Sequence, residues 1–174
     1  MSNSAFGPVE IHSARGLGAP LRDLLEAWFK EEFGATDYQW APADWYAVVK
    51  AGGVAVGRVG ILARTVAVGG EAVRVGGIAG VATRPEWRHR GVASVAMRAA
   101  TQFIQRDLEC PFGLLLCQRR VSPVYAKLGW QAVAGPTSFE QPGGRTTYQS
   151  LTMMIQLGER RWPEGAIDLR GLPW

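Results

Sequence analysis

The sequence predicts an α/β (α+β) fold in which one mixed, mostly antiparallel sheet is flanked by helices. Its 174 residues are the size of one ordinary domain, so we expect residues 1–174 to form a single unit. Apolar residues account for 47% of the chain and charged residues for 20%, which is typical of a globular protein. Helical periods alternate with apolar runs of strand character, the order that a mixed sheet with covering helices produces.

Helical periodicity predicts helices at residues 20–33, 92–106 and 122–128. In the first, apolar side chains recur at i, i+3, i+4, i+7 and i+8 from Leu21. A proline in the first turn and a glycine just past the last turn bound the first and third helices, as helix ends favour.

Apolar runs rich in β-branched residues predict the strands. The glycine-containing triplets 51–53 and 69–71 are expected to turn two hairpins, and the Pro/Gly-rich residues 141–144 to form a loop. Residues 112–117 are continuously apolar, as in a strand buried on both faces. Residues 160–174 are expected to be an irregular tail. The predicted strands are 45–49, 54–62, 66–68, 72–75, 78–83, 112–117, 130–133 and 151–157.

Composition excludes several classes of protein. No run of about eighteen apolar residues is present, so no transmembrane helix is expected. The N-terminus lacks the basic flank and apolar stretch of a signal peptide. Cys110 and Cys117 are the only cysteines, and no His/Cys spacing suggests zinc. We therefore predict a soluble, cytoplasmic protein that uses no metal, and the sequence leaves open whether it is a homodimer.

The charge is unevenly distributed along the chain. Lys and Arg number 19 and Asp and Glu 15, which gives a net charge of +4. The segment from Arg22 to Asp44 holds six acids and two bases, so it carries −4 and the rest of the chain +8. This predicts an anionic partner for the main body and a cationic one near the N-terminal segment. Three lysines and scattered arginines fit a small polyphosphate better than a nucleic acid.

A basic, glycine-containing segment lies between a predicted strand and the second predicted helix. It contains Arg88-x-x-Gly91-x-Ala93, in which small residues let backbone N–H groups approach a ligand closely. Arg84 and Arg90 add charge, and the helix N-terminus adds a partial positive charge. The segment therefore suits a pyrophosphate, and the alternative interpretation is a basic turn that begins a core helix.

The motif Arg88-x-x-Gly91-x-Ala93 after a strand ending Val-Ala-Thr-Arg-Pro resembles the acyl-CoA pyrophosphate loop of the GNAT superfamily of N-acyltransferases. About forty residues later, residues 125–130 (YAKLGW) are similar to the second signature of that superfamily, a helical tyrosine followed by Gly-aromatic. The resemblance implies a sheet whose two central strands, 78–83 and 114–118 here, splay apart to admit the pantetheine arm of acetyl-CoA, the implied cosubstrate.

The same resemblance implies the roles of individual residues. The backbones of Val81 and Thr83 would bind pantetheine and pyrophosphate, and Tyr125 would be the general acid that protonates the departing thiolate. The residues expected to line the phosphates are Arg88, His89, Arg90, Gly91, Val92, Ala93 and Ser94.

Two narrower resemblances indicate the acceptor. Residues 80–88 (GVATRPEWR), 125–130, 135–138 (GPTS) and the final tryptophan resemble the aminoglycoside 2′-N-acetyltransferases. Residues 59–75 and 162–168 (WPEGAID) resemble the nodulation N-acyltransferases. Both families acylate an amine on an amino sugar. They imply an N-acetyltransferase for the 2′-amine of an aminoglycoside antibiotic, which would confer resistance.

The aminoglycoside resemblance also implies substrate contacts. Asp37 and Asp44 fall where that family places acidic residues against its cationic drug, and the carboxylate of Trp174, in a tail docked near the acceptor site, would be a third contact. The acid-rich loop of the family is shortened here to residues 139–145, which leaves Glu140 as a substitute. The shorter loop favours a small aminoglycoside such as kasugamycin.

The base for the attacking amine is not assigned. The aminoglycoside enzymes carry a glutamate on the central strand where this chain has Ala79. The alternatives are another group, an ordered water relay, or an amine that binds already neutral. Two other functions stay open: an N-acyltransferase for another small amine or a peptide N-terminus, and a non-catalytic CoA-binding sensor.

Overall fold

The structure is a computed structural model and describes residues 6–34 and 37–174. The expectation that the N-terminus is not a signal peptide concerns residues that include 1–5, which lie outside the described part. Within these ranges three helices and ten strands are found. None of the described helices has the length and hydropathy that crossing a membrane requires. The helices are α1 (Ala19–Phe33), α2 (Val92–Arg106) and α3 (Ser122–Ala126). The strands are β1 (Glu10–Ser13), β2 (Trp45–Ala51), β3 (Val54–Val68), β4 (Glu71–Thr83), β5 (Phe112–Cys117), β6 (Gln131–Ala132), β7 (Thr137–Gln141), β8 (Gly144–Thr147), β9 (Leu151–Gln156) and β10 (Ile167–Asp168).

The strands form one mixed sheet in the order β6-β9-β5-β4-β3-β10-β7-β8. The first half of β3 pairs with β2, which in turn pairs with β1, and its last two residues pair with β10. Two pairs, β4 with β5 and β10 with β7, are parallel, and the other described pairs are antiparallel. The predicted fold class, a mixed and mostly antiparallel sheet with flanking helices, is therefore confirmed.

The long hairpin β3–β4 replaces the four shorter strands that the sequence predicts. The predicted strands leave out Gly76 and Gly77, but both residues belong to β4. Gly76 pairs with Ala63 of β3, and Gly77 pairs with Leu62. Both glycines lie where another element approaches the sheet. A Cβ atom on Gly76 would come within 2.3 Å of the Ile104 side chain, and one on Gly77 within 2.5 Å of the Trp174 ring. Close packing, not a turn, explains these glycines.

The C-terminal part contains strands that the sequence does not predict. The Pro/Gly-rich residues 141–144 turn the chain as expected, but the turn joins the strands β7 and β8 in a hairpin. The tail is not wholly irregular, because β10 is inserted between β3 and β7. Backbone hydrogen bonds from the Ile167 and Leu169 amides to Pro136 and Ser138 carbonyls, each 2.9 Å long, fix this position.

The helices α1 and α2 cover opposite faces of the sheet. Val48 packs with Leu25 and Trp28 of α1, whereas its neighbour Val49 packs with the α2 side chains Ala96 and Met97. Successive residues of a strand point to opposite faces, so the two helices cannot share one face. The sheet between them is buried on both sides.

The sheet opens at its centre. The parallel pairing of β4 with β5 begins at Val75 and Phe112 and ends at Ile78 and Leu115, although β4 continues to Thr83. The two strands therefore separate beyond this point, as the predicted splay requires.

A β-bulge lies on β4 where the strands separate. Gly80 and Val81 together oppose one residue of β3, Val59. Gly80 has φ +52°, and a Cβ atom there would come within 2.9 Å of Arg58 Nη2 and 3.1 Å of the Phe29 ring. Only glycine suits both the backbone conformation and the space.

Candidate active site

A cleft of about 650 Å³ lies between the separated ends of β4 and β5. Its floor includes the bulge residues of β4 and the last residues of β5, and one wall comes from α1. The opposite wall comes from α3, Tyr148 and Trp174. The volume is in the range of sites that bind small molecules. The cleft is therefore the candidate active site.

The segment from β4 to α2 has the form of an anion site. A short 3₁₀ turn, Pro85–Trp87, follows β4, and Gly91, in the left-handed conformation at φ +82°, precedes the first residue of α2. No side chain caps this helix start, so the first backbone N–H groups have no side-chain acceptor. No atom lies within 4 Å of a Cβ position on Gly91. An open, uncapped N-terminus of a fifteen-residue helix fits a pyrophosphate.

The predicted phosphate-lining residues differ in what they expose. Arg88, His89, Arg90 and Gly91 are exposed, and Ala93 and Ser94 are half-buried. The Val92 side chain is buried in the core, against Gly57. Val92 can therefore contribute only its backbone N–H group to a ligand. These assignments remain predictions.

The arginines of this segment already have contacts. Arg88 Nη2 donates to both carboxylate oxygens of Glu32, at 2.9 and 3.0 Å, and its Nε donates to the Thr83 carbonyl at 3.2 Å. Arg84 lies 3.5 Å from a carboxylate oxygen of Glu31 and 4.4 Å above the Trp28 ring. These contacts connect the segment to α1.

Val81 and Thr83 lie on the separated part of β4. Val81 is in the bulge and lines the cleft, whereas Thr83 pairs with Gly57 of β3. The Thr83 hydroxyl is buried and has no hydrogen-bond partner in the described part of the chain. The bulge interrupts regular pairing at Val81, which is the position expected to offer a backbone N–H group to pantetheine.

Tyr125, on α3, lines the cleft opposite the bulge. Burial raises the pKa of its phenol to about 12, and the neighbouring Cys117 and Tyr148 add to the shift. The same causes, burial first and then Cys117 and Tyr38, raise the pKa of Tyr148 to about 12. Burial also raises the pKa of the Cys117 thiol. All three groups therefore hold their protons near neutral pH, so Tyr125 can donate one.

The predicted acidic contacts separate into two groups. Asp37 lines the cleft. Asp44 and Glu140 are not among its lining residues, and both lie near the guanidinium of Arg64. Burial lowers the pKa of Arg64, and the charges of these two acids partly offset the shift. Asp44 is held at the start of β2 by a backbone bond to Ile61, and Glu140 by one to Gly171. The structure thus brings one of these three acids into the cleft.

Trp174 is docked in the cleft wall. Its indole Nε1 donates to the Leu114 carbonyl at 3.3 Å, and the Arg64 guanidinium lies 5.0 Å from the ring centre. Arg64 Nη1 also donates to the Leu172 carbonyl at 2.6 Å, and the Ala41 amide donates to the Pro173 carbonyl at 2.7 Å. The tail is therefore fixed beside the cleft.

Motifs do not identify several of the residues that line the cleft. Glu32 belongs to the acidic segment from Arg22 to Asp44, but nothing in the sequence connects it with Arg88. Phe29 has the helical spacing of a core residue, and Tyr148 follows no motif at all. Arg120, whose Nε donates to Gln118 at 2.7 Å, lies in the turn after β5. Ala79 lines the cleft as well, so the only acidic side chains among its described lining residues are those of Glu32 and Asp37.

A splayed sheet, a bulge on the separated strand and an uncapped start of α2 form the arrangement that the resemblance to the acyl-CoA-binding GNAT superfamily implies. Residues 20–133 match the family described as the acetyltransferase (GNAT) domain. This match covers more than half of the chain, which therefore belongs to the GNAT family of acetyltransferases.

Individual relatives agree with this assignment. The chain is 29% identical to an aminoglycoside 2′-N-acetyltransferase of Mycolicibacterium fortuitum over 125 residues, which cover 72% of this chain and 63% of that protein. The chain thus spans less than two thirds of the length of that relative.

Two solved structures share the fold. The GNAT family N-acetyltransferase YhbS from Escherichia coli, in complex with CoA, has a TM-score of 0.57 at 16% identity, with 99% of this chain and 98% of that chain covered. A GCN5-related N-acetyltransferase from Kribbella flavida has a TM-score of 0.56 at 21% identity and covers 76% of this chain, which spans 35% of that one.

Proposed function

We propose that this chain transfers the acetyl group of acetyl-CoA to an amine of a cationic amino sugar, in particular the 2′-amine of a small aminoglycoside antibiotic. The observation that carries the proposal is the cleft, in which Val81, Tyr125, Glu32 and Asp37 line one cavity. An N-acetyltransferase for a cationic substrate needs a hydrogen-bond donor for the carbonyl oxygen, an acid for the thiolate and negative charge for the protonated amines that do not react. Membership of the GNAT family supports acetyl-CoA as the acetyl donor, and the Mycolicibacterium relative supports an aminoglycoside as the acetyl acceptor.

The donor end of the site is the start of α2. Backbone N–H groups of Gly91–Ser94 and the side chains of Arg88 and Arg90 bind the pyrophosphate, since the uncapped helix start offers unpaired donors and partial positive charge. His89 lies beside these arginines in the chain; it is exposed, and its backbone is in the left-handed region at φ +61°. When bound, acetyl-CoA supplies an acetyl group activated as a thioester.

The residues in the cleft move and hold protons in the transfer step. The Val81 N–H donates a hydrogen bond to the thioester carbonyl oxygen, and a neutral amine forms the new C–N bond as the C–S bond breaks. Tyr125 gives its phenolic proton to the departing sulfur. The proton that the amine loses passes through water and restores Tyr125. No carboxylate at position 79 is needed because the amine attacks in its neutral form.

The acceptor end is shaped for a small cationic sugar. Asp37 provides negative charge, and Trp40, Tyr148 and Trp174 provide aromatic faces around it. The cavity of about 650 Å³ must also hold part of the pantetheine arm, which leaves little room for a large drug. These features support a small aminoglycoside such as kasugamycin.

Thiol release from acetyl-CoA tests the proposal. Purified protein is incubated with acetyl-CoA and each member of an aminoglycoside panel that includes kasugamycin, and the products are analysed by mass spectrometry. Drug-dependent release, with one acetyl group added to a 2′-amine, is the expected result. Release with other amines or peptides but with no drug would replace the acceptor, and tight CoA binding without release would indicate a sensor.

A further inference from the structure

Two glutamates in the last turn of α1 contact the arginines that precede α2. The Glu32 carboxylate accepts two hydrogen bonds from Arg88, at 2.9 and 3.0 Å. Glu31 lies 3.5 Å from Arg84 Nη1. The Arg88 guanidinium is also bonded to the end of β4 through Thr83. An arginine expected to bind a phosphate is therefore already occupied by a carboxylate.

The position of these glutamates does not stabilise α1. The C-terminal end of a helix carries a partial negative charge, so acids in its last turn are unfavourable. Lys30 is the one basic residue in that turn. Glu31 and Glu32 are better explained by the arginines they contact than by the stability of the helix.

The two glutamates differ in one respect. Glu32 lines the cleft, in the company of Phe29, Asp37 and Trp40, and its side chain is 30% exposed. Glu31 is not a lining residue of the described cleft, and its side chain is 73% exposed. Of the two carboxylates, only that of Glu32 can reach both a phosphate-binding arginine and the space where an amine would bind.

We propose that Glu32 exchanges partners during the reaction. Arg88 neutralises the Glu32 carboxylate until a pyrophosphate binds Arg88, and the released carboxylate then binds a protonated amine of the acceptor other than the neutral amine that is acetylated. Glu32 is thereby a specificity-determining residue that couples acceptor binding to donor binding. The acceptor half of this inference rests on the proposed function, whereas the donor half requires only that Arg88 binds the pyrophosphate of CoA.

The first test is titration of the protein with CoA alone, by calorimetry, for the wild type, Glu32→Gln and Glu26→Gln. Removing the competitor for Arg88 should tighten CoA binding by about two- to fivefold, the size expected for one exposed ion pair. Glu26 is the matched control because it is an exposed glutamate of the same helix and has no ion pair within the described residues. CoA binding by Glu32→Gln that equals or is weaker than that of Glu26→Gln would overturn the inference.

A double-mutant cycle with Arg88→Met separates this competition from a general charge effect. Arg88→Met should weaken CoA binding, and Glu32→Gln should then give no further gain because the arginine for which it competes is absent. An equal gain in both backgrounds would show that Glu32 acts on CoA through long-range charge and not through Arg88.

The second test measures steady-state kinetics with a drug of the panel that supports thiol release. Glu32→Gln should raise the acceptor KM by at least about tenfold, the loss of one charge-assisted hydrogen bond, while it tightens CoA. Glu31→Gln should leave the acceptor KM close to that of Glu26→Gln. A merely structural role of Glu32 would weaken both ligands. If no amine is acetylated, the proposed function and the acceptor half fall together, and the CoA titration still decides the Glu32–Arg88 competition.

Discussion

The indole ring of Trp174 lies directly against Gly77 of β4. A Cβ atom on Gly77 would come within 2.5 Å of both ring atoms Cε2 and Nε1, closer than any real contact. The tail can therefore pack here only because Gly77, in the middle of β4, has no side chain. Because Trp174 also lines the cleft, this contact joins the packing of the sheet to the shape of the cleft.

Replacing Gly77 with alanine should displace the Trp174 ring. We expect a loss of about 1–3 kcal/mol in the free energy of unfolding, typical of an overpacked core. We also expect the acceptor kcat/KM to fall by about 10- to 100-fold, since small misplacements at a binding site are costly. CoA affinity should stay near that of the wild type. Urea unfolding, CoA titration and steady-state kinetics measure the three effects.

Gly143→Ala provides the matched control for this prediction. Gly143 lies in the turn between β7 and β8, and nothing is within 4 Å of its Cβ position. It should change neither stability nor kinetics appreciably. Wild-type acceptor kinetics in Gly77→Ala would show that the position of Trp174 does not matter to the acceptor.

Removal of the Tyr125 hydroxyl tests the general acid. Tyr125→Phe keeps the buried ring but cannot protonate the thiolate, so we expect kcat to fall by about 10²-fold or more. CoA affinity should be unchanged, since the phenol acts only as the C–S bond breaks. Tyr148→Phe is the comparison, because Tyr148 lines the same cleft and has a similarly raised pKa. An equal loss in both variants would mean that Tyr125 is not the sole acid.

The raised phenol pKa also predicts how stability depends on pH. The pKa of Tyr125 is about 12 in the folded chain, compared with about 10 for free tyrosine. Well below pH 10 the phenol is protonated in both the folded and the unfolded state. As pH rises from 10 towards 12, the unfolded chain loses this proton more readily, so the stabilising contribution is lost at up to about 1.4 kcal/mol per pH unit.

Urea unfolding of the wild type and Tyr125→Phe at pH 9 and pH 11 measures this contribution. The wild type should lose more stability than the variant over this interval, because lysines and other groups titrate equally in both. Parallel losses would mean that the phenol is not held in its protonated form by burial.

The predictable parts of the molecule are those that depend on local pattern. The helical periods at 20–33 and 92–106 predict α1 and α2 to within one residue. The opening of the sheet is implied only by the family resemblance that the motif around Arg88 supports. The predicted interruption between strands 72–75 and 78–83 is wrong because the residues that approach Gly76 and Gly77, Ile104 and Trp174, are distant in sequence. A glycine that turns the chain and one that admits a distant side chain look the same in sequence.

The ion pairs at the site could not be predicted for the same reason. Glu32 and Arg88 are 56 residues apart and belong to elements on either side of two strand hairpins. Their contact depends on how α1 lies across the sheet, which is fixed by Leu25 and Trp28 in the core and by the hydrogen bond of 2.6 Å from Arg58 to the Leu25 carbonyl. Charge composition shows that this region is acidic but not which cation each acid contacts.

The acids of the N-terminal segment should differ in their effect on the acceptor. Asp37 lines the cleft and Asp44 does not, although the aminoglycoside resemblance implies both. We expect Asp37→Asn to raise the KM of a polycationic drug by about tenfold or more, through loss of a charge-assisted contact. Asp44→Asn removes the same charge outside the cleft, so it should act only through long-range attraction, which salt screens.

Kinetics at low and at 0.5 M salt distinguish the two variants: the defect of Asp37→Asn should persist, and any defect of Asp44→Asn should vanish. A larger effect of Asp44 that survives high salt would place the acceptor beside Arg64 instead of in the cleft.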